Sequence, residues 1–347
     1  MQIHDLNEYP QPAVLAAGTQ ILSLNEKAAA LFRNMEAGGM LPEELFADQG
    51  NWEGCVTLEG RFYHVTATAR REETLYLFRA MEQQALSEGQ LDGALYQMRS
   101  LMGDFRRELG PYAAGERESF ARGDLEQFSR SYYRMLRLMD HMDLLRDAAA
   151  GQLTAARERL DLDRLCAMTA MECGALLSRM GIEVEYEGLA GGVYVSGDGA
   201  LLRDALLELI SNCARRRKMG GILKLSLKKS GNWARICVTD DGEAPNAREK
   251  LGLTGRGAVP LIPTADSGAG LGLSTAEAIM RLHGGAMMVS TGTGAAGVWL
   301  ALPTAERTGE GMTLRTPTPE RNAGMNPYLI ALSDVLPGDM IREDWRM

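Results

Sequence analysis

The strongest signal in the sequence is LLRDALLELISNCARRR, residues 201–217. It reads as a strong helix, and Glu208 and Asn212 lie four apart on it, which puts them on one face. A carboxylate and a carboxamide stacked this way can hold a hydrated divalent cation, or set a base beside a water. Taken alone, the same pair also describes a solvated helix face. Two further pieces follow in order. VTDDGEAP, residues 238–245, brings Asp240 to the end of a strand, with Gly242 where the backbone can approach a ligand. A buried carboxylate there accepts a hydrogen bond from an exocyclic amine, although Asp and Gly are also ordinary in a type I turn. SGAGLGLSTAEAIMRLHGG, residues 267–285, spaces Gly268, Gly270 and Gly272 by two at the start of a helix. Such a loop offers backbone N–H groups to a phosphate. A glycine-rich hinge has the same composition. The pattern is neither GxGxxG after a first strand nor GxxxxGK(S/T), so Rossmann and P-loop readings lose their main support.

Around these pieces, residues 161–304 read as α/β. A helix closed by Gly181 precedes the short strands IEVEYEG and VYVSGD. The hairpin ILKLSLKKSGNWARICVTDDG and a final hairpin AMMVSTGTGAAGVWLALP flank the glycine loop and its helix. Upstream the period is helical. Leu91, Leu95, Met98, Met102, Phe105 and Leu109 recur every three or four residues, and Gly110-Pro111 is expected to stop that helix. Leu125, Phe128, Tyr132, Met135, Met139 and Met142 repeat the pattern, with Ala149, Leu153, Ala156 and Leu160 continuing the stripe. Two such helices joined by a short loop predict an antiparallel hairpin. A lone hairpin cannot bury both stripes. A four-helix bundle with a second copy solves this, as does a bundle within the chain.

Residues 10–80 read as a small α+β unit. PAVLAAG and ILSLNEKAAALF predict two strands and a helix capped by Asn25. GCVTLEGRFYHVTATAR predicts a hairpin around Glu59-Gly60, and ETLYLFRA a last strand. Residues 305–324 read as a polar linker, and the apolar residues after them are expected to dock on a surface, their own domain first.

Composition narrows the classes. Lys and Arg number 37 against 46 Asp and Glu, a net charge of −9, which argues against a general electrostatic grip on nucleic acid or anionic lipid. No apolar run approaches the roughly 18 residues of a transmembrane helix. The start, MQIHDLNEYPQ, lacks the pattern of a signal peptide, so the expectation is a cytoplasmic chain with no membrane and no nucleic-acid partner. Five scattered cysteines form no CxxC pair and fit reduced thiols. Only four histidines in the chain argue against a multi-histidine metal centre.

In this order the three pieces resemble the histidine-kinase-like ATPase superfamily, which includes sensor histidine kinases, gyrase-type ATPases and Hsp90. LLRDALLELISNCARR resembles its asparagine box, VTDDGEAP its first glycine box and GAGLGL its second. The resemblance implies a Bergerat ATP site on an α/β sandwich. Asn212 would then ligate Mg²⁺, with Glu208 assisting or acting as base. Asp240 would receive the adenine amino group beside Gly242. Gly268, Gly270 and Gly272 would line the triphosphate. Arg215 matches a phosphate-binding position, although Arg216, Arg217 and Lys218 beside it also describe a surface basic run. Two departures stand out. Ala244 replaces the usual second glycine, and no phenylalanine-rich box is visible between the glycine boxes. KLGLTGRGAVPLIPTADS fits a mobile lid instead.

The paired helices resemble the dimerisation and phosphoacceptor hairpin of sensor histidine kinases, and the first unit resembles a PAS sensor. The implied organisation is multidomain α+β. It comprises a PAS-like α/β domain at 1–82, a long antiparallel helical hairpin at 83–160, the ATPase domain at 161–304, and a linker and tail at 305–347. The family pattern on the first hairpin helix is a histidine, an acidic residue, one residue, then arginine. Gly103-Asp104-Phe105-Arg106 supplies the partners but puts glycine at the nucleophile, which excludes ordinary autophosphorylation there. His141, between Met139 and Met142, reads as a solvated flank residue rather than an acceptor. His64 reads as structural and His283 as a helix cap. The expectation is therefore a cytoplasmic, homodimeric sensor histidine kinase homologue that binds ATP and Mg²⁺ but is degenerate in autophosphorylation. Its partners would be a response regulator or a partner kinase. The alternatives are an ATPase or protein serine kinase of the same superfamily, or a non-catalytic nucleotide-binding scaffold.

Overall fold

Short turns and one polar cap organise the first five strands. β1 (Ala13–Ala17) pairs antiparallel with β2 (Gln20–Leu24), and α1 (Glu26–Leu31) follows at once. Asn25 caps α1. Its side-chain oxygen accepts from the Ala28 N–H at 2.9 Å and the Ala13 N–H at 3.0 Å, while its amide nitrogen donates to the Leu6 and Gln11 carbonyls. One side chain thus satisfies a helix-end donor and ties α1 to β1. β3 (Trp52–Leu58) and β4 (Arg61–Arg70) turn through Glu59 and Gly60, both at positive φ, as a tight two-residue hairpin requires. β5 (Glu73–Ala80) lies between β4 and β1. The computed structural model describes residues 6–45, 50–81, 88–113, 122–189, 192–217, 220–241, 271–290, 297–305 and 325–343.

Two long helices come next, α2 (Glu88–Ala113) and α3 (Arg122–Ala149). Phe105 meets Phe128 edge-on with ring centroids 5.2 Å apart, and the Tyr112 hydroxyl donates to Asp124 at 2.5 Å. Both helix ends differ from the sequence expectation. Pro111 lies inside the last turn of α2, where it forfeits only one intrahelical bond instead of ending the helix. α3 stops at Ala149, Gly151 takes a left-handed φ of 68°, and residues 158–161 become a strand. Leu153, Ala156 and Leu160 therefore do not extend the helical stripe.

The remaining elements are β6 (Glu158–Asp161), α4 (Leu162–Leu177), β7 (Ile182–Glu187), β8 (Tyr194–Gly197), α5 (Gly199–Arg217), β9 (Gly221–Ser230), β10 (Trp233–Asp240), α6 (Leu271–Leu282), β11 (Ala286–Ser290), β12 (Val298–Pro303), α7 (Pro327–Ala331) and α8 (Gly338–Glu343). Ten strands form one sheet in the order β2-β1-β5-β4-β3-β11-β12-β10-β9-β7, and β6 pairs with β8 separately. The seam between its two halves is the antiparallel pair β3–β11. A Cβ on Gly54 would overlap the Met287 carbonyl oxygen there, so glycine permits the approach.

Alternation along the strands serves two cores. Ala234, Ile236 and Val238 of β10, with Met287 and Val289 of β11, pack with α4, α5 and α6. Trp233, Met288 and Ala301 join Phe32, Met35, Leu41 and Leu45 in a second cluster. The C-terminal segment docks into the first core: Leu329, Leu332, Leu336 and Ile341 are buried with residues of α4 and α5.

Candidate functional site

The site is built on one stripe of α5. Glu208, Asn212, Arg215 and Arg216 follow one another at i, i+4, i+7 and i+8, so they share a face about 12 Å long. The opposite face carries Leu202, Leu206, Leu209 and Cys213 into the core beneath the sheet, which fixes the helix orientation.

At one end of the stripe, Glu208 meets the start of α6. A Cβ on Gly272 would overlap Glu208 Oε2, so a side chain there would push the carboxylate out of place. At the other end, the Asp240 carboxylate closes β10 and is paired with the Arg216 guanidinium, which also reaches Cys213 Sγ at 3.6 Å. Between them, Asn212 Oδ1 accepts from Arg215 at 3.1 Å, and its buried Nδ2 has no partner among the described residues. Glu208, Asn212, Arg215, Asp240 and Gly272 are thus gathered along α5. Gly242, Gly268 and Gly270, and the lid expected at 250–267, lie outside the described residues.

Glu208 departs most from its expected surroundings. Instead of facing an open site, it accepts from Arg137 Nη2 at 2.6 Å and Arg137 Nε at 3.3 Å, and lies 2.8 Å from His141 Nε2. Burial alone would raise its carboxyl. Arg137 and then His141 outweigh burial and hold it well below the usual carboxylate range. Arg137 also reaches Asp334 at 2.9 Å, and Asp334 pairs with Arg134 at 2.9 Å. Burial likewise pushes the Arg215 pKa down, while Asp334 counters it.

His141 is therefore not a solvated flank residue. Its side chain is 12% exposed and turned onto Glu208. The signal that locates it is Arg130, Arg134, Arg137 and His141, spaced 4, 3 and 4 along α3. This basic stripe runs along the seam with α5 and the tail, where Arg130 also donates to the Leu336 carbonyl. Asp334, far along the chain, has no local signature. Two further histidines among the described residues have structural partners. His283 Nδ1 lies 2.7 Å from the Ile279 carbonyl while its Nε2 accepts from the Asp198 N–H, and His64 pairs with Glu53 at 3.1 Å.

The donor set suits a cation that brings most of its own ligands. Both Glu208 oxygens are engaged, and no cluster of three or more His, Cys, Asp or Glu residues among those described could hold a metal. Asn212 fits as a single hard oxygen ligand to an ion coordinated otherwise by phosphates and water, the habit of Mg²⁺.

Residues 197–315 match the family described as histidine kinase-, DNA gyrase B- and HSP90-like ATPase. The adaptive-response sensory kinase SasA of Prochlorococcus marinus (strain MIT 9303) is 28% identical over 156 residues, 44% of this chain and 42% of that protein. Sporulation kinase C of Bacillus subtilis (strain 168) is 28% identical over 131 residues, 38% of this chain and 29% of that protein. The chain thus spans less than half the length of these relatives. Among solved structures, the Acinetobacter baumannii histidine kinase AdeS matches at a TM-score of 0.49 and 17% identity, covering 61% of this chain and 98% of that one. Histidine kinase ThkA, solved in complex with the response regulator protein TrrA, matches at 0.47 and 13%, covering 85% and 96%.

Proposed function

We propose that this chain, a homologue of the sensor histidine kinases, binds ATP with Mg²⁺ along the polar stripe of α5 and works in two-component signalling. The observation that carries this reading is the stripe itself. It meets the glycine start of α6 at Glu208 and the strand-end carboxylate Asp240 at Arg216. Asp240 accepts the adenine amino group once Arg216 swings aside. Asn212 ligates Mg²⁺, which neutralises phosphate charge when bound. Gly272, with Gly268 and Gly270, lines the phosphates, and Arg215 lies three residues from Asn212 to meet their charge. Gly103 on α2 has no side chain to phosphorylate, so the first hairpin helix is not the acceptor. The functional units are a PAS-like sensor at 1–82, a dimerisation hairpin at 83–160 and the ATPase domain at 161–304. The strands of the first unit continue the ATPase sheet through the β3–β11 pair, and the exposed stripe of Leu91, Leu95, Met102 and Leu109 supports the dimerisation role of the hairpin. The stripe pairs with a second copy, and a response regulator or partner kinase receives the signal. No described helix is long and apolar enough to cross a membrane, and a cytoplasmic site of action fits the net charge of −9.

Calorimetric titration with ATP and Mg²⁺ tests the reading. Wild type binds, Asp240→Asn loses binding because an amide cannot replace the carboxylate, and Arg216→Ala binds as well or more tightly. The opposite ranking sinks the site. An ATPase or protein serine kinase would instead release or transfer γ-phosphate and leave this chain unlabelled, and a scaffold with a vestigial site would show no binding heat.

A further inference from the structure

The asparagine-box carboxylate holds an imidazole. His141 Nε2 lies 2.8 Å from Glu208 Oε1, with the imidazole 12% exposed and the carboxylate buried at 7%. A carboxylate is an acceptor only, so Nε2 carries the proton that faces Glu208, and in the neutral imidazole the lone pair is left on Nδ1. Glu208 is in turn fixed by Arg137, and Arg137 by Asp334. The same carboxylate touches Gly272 at the start of α6, where the proposed phosphate-lining amides begin. An oriented imidazole therefore stands beside the phosphate end of the α5 stripe, on the second hairpin helix, while Gly103 leaves the first without a nucleophile. The arrangement of imidazole, orienting carboxylate and a third group that fixes the carboxylate is that of an activated nucleophile.

We propose that His141 is the residue of this chain that accepts the γ-phosphoryl group of ATP, an inference that rests on the ATP site assigned above. The Nδ1 lone pair forms a bond to the γ-phosphorus, and the bond between that phosphorus and the bridging oxygen breaks. ADP leaves with its electron pair. The Nε2 proton stays in the hydrogen bond to Glu208, whose charge balances the imidazolium until the proton passes to solvent. Arg137 holds Glu208 ionised despite its burial, so Glu208 orients and stabilises instead of taking the proton. Glu208 is thus a positioning residue and His141 the acceptor.

The full chain is incubated with γ-labelled ATP and Mg²⁺, and the label is mapped by peptide mass spectrometry. The expected result is an acid-labile, base-stable label on His141, lost in His141→Gln while calorimetric ATP binding persists. Acid-stable label, label on another residue, or no label in a chain that binds ATP overturns the proposal and leaves the ATP site standing. No ATP binding by wild type removes both. Nitrogen-15 spectra of the nucleotide-free protein give an independent readout. The His141 proton is expected on Nε2, with the signal shifted in Glu208→Gln; a proton on Nδ1 overturns the proposal.

Discussion

α2 and α3 carry the same alternation of three- and four-residue apolar spacing, yet the folded chain treats them differently. α3 is enclosed. Tyr133 and Leu138 are buried, and its basic stripe is paired to α5 and to Asp334 of the tail. α2 packs on α3 along one side, while Leu91, Leu95, Met102 and Leu109 stay more than a third exposed. The lesson is that an apolar period specifies a helix and a face but not what covers that face. For α3 the cover is this chain's own ATPase domain and tail. For α2 it is the second copy proposed above.

The contrast can be broken from the α3 side first. Arg137→Ala strips the cation shared by Glu208 and Asp334, leaving His141 on the one and Arg134 on the other, and breaking a buried pair of this kind costs up to about 3–5 kcal/mol. Denaturant unfolding is expected to show that loss. The pH dependence has a definite sign. Glu208 is held below its unfolded value, so its contribution is fully present above about pH 4.3 and is lost as pH falls below it. In Arg137→Ala that acid-side loss is expected to shrink; an unchanged acid slope would mean the triad stabilises nothing.

A smaller effect is expected at the tail. Leu336 is fully buried between α7 and α8, and Leu336→Ala is expected to cost about 3 kcal/mol through the cavity it leaves. Unaltered thermal unfolding would show that the tail does not hold α3 in place. The smallest stability effect belongs to α2. Met102→Glu, at an exposed position, is expected to change monomer stability by less than about 0.5 kcal/mol. Sedimentation should nevertheless shift from dimer to monomer, and a dimer that survives the charge would place the interface elsewhere.

Much of the local structure was legible because it rests on local chemistry. Asn25 caps α1 because its side-chain oxygen reaches the N–H of Ala28 three residues on. Glu59-Gly60 turns β3 into β4 because glycine supplies one of the two positive-φ positions. The ends of the two long helices were less legible. Pro111 was tolerated in a last turn, and residues 158–161 left the helical stripe because pairing with β8 satisfied their backbone instead. At the site, spacing along α5 was enough to place Glu208 and Asn212 on one face. It could not reveal that Arg216 covers Asp240, or that His141 lies on Glu208.

Residue types and their spacing alone therefore settled where most helices and strands lie, though not where the long helices end, and which polar side chains share a face, since these follow from neighbours a few residues apart. The partners of those side chains were settled only in three dimensions. Glu208 meets Arg137 71 positions away and Gly272 64 positions away, and Asp334 joins Arg137 across 197. Such contacts depend on how buried helix faces pack, and packing brings together charges that no local pattern relates.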